Sequence, residues 1–146
     1  MDHVKLADHL SDLSTHMILA LNTRTFGIVA PMYMVATFSG DHLMDQNTWN
    51  LTSRDEVIAH IEDFLKMNPD FFTQILDISV AIEPDSDAAK VWIRRTDSGL
   101  ADGPTRETLM ELAWRLMDGE WVCVGYQGVR SFPLYGGLDS PVAEPK

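Results

Sequence analysis

Cysteine is nearly missing from this chain. Cys123 is the single thiol, so no internal disulfide can form, and one cysteine suits a reducing compartment. Basic residues are scarce as well: 11 Lys and Arg against 22 Asp and Glu give a formal net charge of -11. That balance argues against nucleic acid and anionic membranes as partners, and favours neutral or cationic small molecules. No apolar run is long enough to span a bilayer, and the longest, 26–38, contains Pro31. The opening MDHVKL has no charged region followed by an apolar one, so no secretory leader is expected and the setting is read as cytoplasmic. Gly-rich phosphate loops, a nucleophile elbow and zinc-ligand spacings are all missing, which disfavours nucleotide and metal cofactors. The expectation is no cofactor and no metal.

What is present fits one folded unit. The 146 residues are 45% hydrophobic and 23% charged, within the ordinary range for a globular chain. One domain is expected over 1–132, with a loosely held tail over 133–146 that contains three prolines and two glycines.

Periodicity divides the chain into helices first and strands last. Leu6, Leu10, Leu13, Met17, Ala20 and Leu21 lie on one stripe, which predicts a helix over 3–22. A short helix or turn is expected over 25–31 and a short strand over 33–38 (YMVATF). Residues 40–52 read as a loop, in which Asp41, His42 and Asp45 match no strong metal-ligand spacing. Ser53 followed by Glu56 fits a capping box, Val57, Ile61, Phe64 and Leu65 form the stripe behind it, and Pro69 ends the helix. A strand over 71–83 puts Phe72, Leu76, Ile78, Val80 and Ile82 on one face, with Thr73, Ile75, Asp77 and Ser79 on the other. A strand over 89–96 follows.

The stretch from Thr105 to Phe132 reads as two long strands joined at Asp118-Gly119. Asp-Gly between β-favouring runs is a strong hairpin signal, because both turn residues need positive φ. In its first arm Thr108, Met110, Leu112, Trp114 and Leu116 form a nearly dry face, while Glu107, Leu109, Glu111, Ala113, Arg115 and Met117 form a mixed one. The mixed face suits either a wet surface or a lined cavity. Short connections force the consecutive strands to be antiparallel. The predicted class is therefore α+β, with N-terminal helices packed on a curved antiparallel sheet.

Residues in the last third carry a family likeness: Arg106-Glu107-Thr108, Trp114-Arg115, Asp118-Gly119-Glu120-Trp121 and Gly128-Val129-Arg130. Together with the element order over 3–132, this resembles the SnoaL-like group of the nuclear transport factor 2-like superfamily, closest to short fungal secondary-metabolism proteins. Ser131 stands where the fungal pattern has a second glycine. The resemblance implies a cone-shaped fold with a pocket at the open end of the sheet and a homodimer through the sheet's outer face. It also implies a cofactor-independent isomerase or cyclase acting on a hydrophobic natural-product intermediate. A dehydratase and a non-catalytic binding or dimerisation module are the alternatives, since the superfamily hosts all of these.

Within that reading Glu111 is the expected acid–base group, because a carboxyl among apolar neighbours can trade protons near neutrality. Its competing reading is a solvated position or an ion-pair partner for an arginine. His60, beside the stripe of the capped helix, is the expected second proton carrier; a boundary histidine is its competing reading. Tyr33, Trp49, Phe64, Trp92 and Tyr126 are expected to shape the guest's site, although aromatics in such patterns are often plain core. Arg94 and Arg95 alternate faces, so at most one points inward, and Arg94 is the one assigned to substrate. His9 and His16 are weaker candidates. Cys123 reads as an inert core thiol.

Overall fold

Three helices come first and four strands follow: α1 (His3–Leu19), α2 (Phe26–Tyr33), α3 (Arg54–Met67), β1 (Phe72–Ile82), β2 (Ala88–Ser98), β3 (Arg106–Met117) and β4 (Glu120–Pro133). The structure, a computed structural model, describes residues 2–34, 53–84, 87–101 and 103–133, and of 127 and 129–133 the backbone only. The strands form one antiparallel sheet in chain order, β1-β2-β3-β4. The predicted α+β class holds.

Local chemistry explains the element ends. Asp2 caps α1 by accepting from the Lys5 amide at 2.8 Å, and Ser53 caps α3 by accepting from the Glu56 amide at 3.2 Å. The β3–β4 turn is the expected Asp-Gly pair, with φ of 52° at Asp118 and 83° at Gly119. Helix α1 stops at Leu19, earlier than its stripe suggests, because the chain turns through Ala20–Arg24. Arg24 sits there at φ 61° and donates to the carbonyls of Leu21 (3.0 Å), Phe71 (3.0 Å) and Pro69 (2.7 Å).

Two expectations need correction. Tyr33 does not open a strand: it closes α2, and Met34 then makes a parallel bridge to Cys123, while 35–38 lie outside the described residues. The Met34 amide bonds back to the Ala30 carbonyl at 2.8 Å, so the ladder of α2 sets the backbone at Tyr33 despite its β-favouring composition. Strand β1 also does not keep one parity. Its register jumps between Ile75 and Asp77, leaving Leu76 as an extra residue. Thr73 and Ile75 oppose Asp97 and Arg95, whereas Ile78, Val80 and Ile82 oppose Ile93, Val91 and Ala89. Both groups therefore face inward, and Phe72 and Leu76 are exposed.

The helices cover one face of the sheet. The core joins Ala89, Val91, Ile93, Met110, Leu112 and Trp114 of the strands to Leu10, Met17, Ile18, Phe26, Val57 and Ile61 of the helices. Trp114 is 1% exposed, and its indole N–H donates to the buried Ser14 hydroxyl at 3.1 Å. A buried indole needs such an acceptor. Further register shifts at Leu109/Met110 and Ala113/Trp114 bend the β3–β4 arm.

Candidate functional site

Strand β2 alternates strictly, and its inward row runs Ala89, Val91, Ile93, Arg95, Asp97. Three apolar residues are thus followed, on the same face, by a cation and an anion, 8% and 7% exposed. Here the sheet and α3 leave a cavity of about 170 Å³. Leu21, Ile61, Phe64 and Phe71 supply apolar wall; His60, Arg95, Asp97 and Tyr126 supply polar groups. Phe64 and Phe71 meet edge to face with centroids 5.1 Å apart.

Hydrogen bonds fix the polar end. Asp97 Oδ1 accepts from the Thr73 hydroxyl at 2.7 Å, and Oδ2 accepts from the Thr108 hydroxyl at 3.1 Å. Arg95 Nε lies 3.4 Å from Asp97 Oδ1, within ion-pair range but too poorly aligned for a hydrogen bond. Burial pushes the Tyr126 phenol up from its ordinary value; the Arg95 charge opposes this, and the Asp97 charge adds to it. A phenol so placed stays protonated across the neutral range and serves as a hydrogen-bond donor rather than a base.

The rim is pinned by backbone contacts. Asn22 gives and takes a hydrogen bond with the Thr73 main chain, at 2.9 and 2.8 Å. Gly99, at φ +72°, lies so near the Asp70 carbonyl that a Cβ would collide with it. These contacts hold Leu21, in the turn after α1, Phe71, just before β1, and Asp97 of β2 close together.

The sequence-predicted residues divide into two sets. His60, Phe64 and Tyr126 line the cavity. Glu111 does not, and its expected place is corrected: it pairs with Trp92 on the outward parity of β2 and β3, on the face turned away from the helices. There it accepts from Trp92 Nε1 at 3.1 Å and lies 3.4 Å from Lys90 Nζ. Trp92 and Arg94 share that outer face, and Arg94 pairs with Glu107 at 3.3 Å. Tyr33 lies against α1 instead, its hydroxyl 3.0 Å from His16 Nδ1 and its ring tilted against Trp114. Trp49, with Asp41, His42 and Asp45, lies outside the described residues.

Arg95 and Asp97 are the residues that sequence reasoning missed. Their signal was present: both continue the parity of Ala89, Val91 and Ile93, so an inward apolar row predicts that they are inward too.

No family model matches the chain, and no curated protein matches its sequence. Solved structures do match in fold. An uncharacterised protein with a cystatin-like fold from Caulobacter vibrioides superposes with a TM-score of 0.69 at 15% identity, over 88% of this chain and 89% of that one. A candidate scytalone dehydratase from Novosphingobium aromaticivorans gives 0.61 at 10% identity, over 94% and 93%. The association domain of C. elegans CaMKII gives 0.56 at 15%, over 83% and 92%. The architecture is the cone-shaped nuclear transport factor 2-like fold, with three helices on a curved four-stranded antiparallel sheet. Among the described residues no helix is long and apolar enough to cross a membrane.

Proposed function

We propose that this protein is a cofactor-independent isomerase or cyclase for a hydrophobic cyclic intermediate, working by proton transfer in the cavity under α3. One observation carries the reading: an apolar chamber of about 170 Å³ in which an imidazole, a phenol and a buried Arg–Asp pair converge. A cavity of about 150 Å³ holds a benzene ring, so this one suits a single ring or one end of a larger guest. His60 takes a proton from a ring carbon and returns it elsewhere, since an imidazole both accepts and donates. Tyr126 donates to the oxygen on which charge builds. Fixing the guest in one pose contributes as much as the proton carriers do.

Dehydration is the second reading. It uses the same chamber, and the likeness to a candidate scytalone dehydratase over 94% of this chain favours it. The assembly we propose is a homodimer through the outer face of the sheet, where Trp92 and the Lys90–Glu111 pair lie.

The test is proton exchange. The protein is incubated in D2O with 2-indanone and 1-methylindene, with no cofactor added, and deuterium uptake is followed by NMR. Uptake above the buffer rate that falls by about 10²–10⁴-fold in His60→Ala supports the reading. Uptake at the buffer rate in the wild type, or unchanged uptake in the variant, sinks it.

A further inference from the structure

Arg95 holds two buried N–H sites that the fold does not satisfy. Its side chain is 9% exposed, Nη1 has no hydrogen-bond partner, and Nε has only the misaligned approach of Asp97. Buried donors are rarely left this way, because each loses its water without gaining an acceptor. Asp97 is not free to turn toward them, since Thr73 and Thr108 each hold one of its oxygens. Arg95 lines the cavity and its guanidinium also hydrogen-bonds Tyr126, but Nε and Nη1 lie just behind the cavity surface, so a guest reaches Nη1 when the guanidinium turns toward it.

Resting on the reading of that cavity as a guest site, we propose that Arg95 and Asp97 together select the guest. Nη1 receives the un-ionised carbonyl oxygen of a one-ring compound, and the neighbouring carboxylate turns ionised acids away. The Arg95 charge is already balanced by Asp97, so what is missing is an acceptor and not a counter-charge. A carboxylate guest would supply the acceptor but add a second negative charge beside Asp97 in a dry site. A hydrocarbon would leave the guanidinium unsatisfied. The carbonyl oxygen, with two lone pairs and no proton, meets the need.

Three probes of one size test this: acetophenone, ethylbenzene and benzoate. Each is titrated into ¹⁵N-labelled protein, and Kd is read from the backbone and arginine Nε–H resonances. Acetophenone should bind saturably, move the Arg95 resonance, and bind at least about tenfold more tightly than benzoate. In Arg95→Met the preference for acetophenone over ethylbenzene should drop by about 10- to 100-fold, the usual worth of a hydrogen bond to a charged group. Benzoate binding as well as or better than acetophenone overturns the inference. So does an unchanged preference in the variant. In either case saturable ethylbenzene binding leaves the guest site standing. If no probe binds, the guest site itself falls. Should Arg95→Met fail to fold, the wild-type order decides, together with whether the Arg95 resonance responds to acetophenone and not to ethylbenzene.

Discussion

Trp92 and Glu111 stand directly opposite each other on β2 and β3, and the indole Nε1 donates to the carboxylate at 3.1 Å on the face turned away from the helices. This pairing moves the expected chemistry from one side of the sheet to the other. Glu111→Gln should therefore leave deuterium uptake within about twofold of wild type, while His60→Ala lowers it by about 10²–10⁴-fold. Glu111→Gln should also cost stability only slightly. The Lys90 partner is half exposed, and such ion pairs contribute about 0–1 kcal/mol. Uptake assays and urea melts on the two variants check both halves.

Removing one member of the Arg95–Asp97 pair should be far more damaging than removing both. Asp97→Asn strands a buried guanidinium and weakens two threonine contacts, and breaking a buried pair costs about 3–5 kcal/mol. The double variant Arg95→Met/Asp97→Asn should recover part of that loss. Urea midpoints of the two single variants and the double one give the coupling. A double variant no more stable than Asp97→Asn would contradict it.

Two glycines with similar backbone should respond differently to alanine. Gly119 (φ +83°) meets open space, so Gly119→Ala should lose only the roughly 1–2 kcal/mol of left-handed strain. Gly99 (φ +72°) faces the Asp70 carbonyl, so Gly99→Ala must also move main chain at the cavity rim. Its loss should be clearly larger and should be accompanied by weaker acetophenone binding; thermal melts and titration measure the two effects.

Alkaline stability should carry the mark of Cys123. Burial pushes its thiol from 9.0 up to about 12, against a smaller opposing effect of the Gly125 backbone. The folded chain thus keeps a proton that the unfolded chain releases above pH 9.0. This contribution is whole below that pH and is lost as pH rises toward about 12. Cys123→Ala should flatten the decline in that window, as read from denaturation midpoints. The native thiol should resist iodoacetamide at pH 8 and react once the chain is unfolded.

The sequence was legible where structure is decided locally. Ser53 with Glu56, Pro69, and the Asp118-Gly119 turn each act through their own few residues, and each falls at an element boundary. Parity separates the two faces of β3 but does not say which one the helices cover, and so the sequence reading places Glu111 inward. The extra residue in β1 was hidden for a related reason. Leu76 looks like any other apolar strand residue, and only the pairing with β2 reveals the shift. His60 and Phe64 were within reach because they belong to the apolar side of the capped helix, and Tyr126 because it is an aromatic in a strand of the hairpin. Arg95 and Asp97 carry the same kind of signal in the parity of Ala89, Val91 and Ile93, but the sequence reading gives the inward place to Arg94, and Asp97 falls beyond the strand expected over 89–96.

Asn22 has a consequence beyond the rim it pins. Among the described residues β1 is an edge strand, and at Thr73 the carboxamide occupies the outward main-chain N–H and C=O together. A side chain thereby stands in for a fifth strand, and an intruding chain finds that rung taken. Protection against edge-to-edge polymerisation at this corner rests on one amide group, so Asn22→Leu should expose a sticky seam, visible as concentration-dependent light scattering.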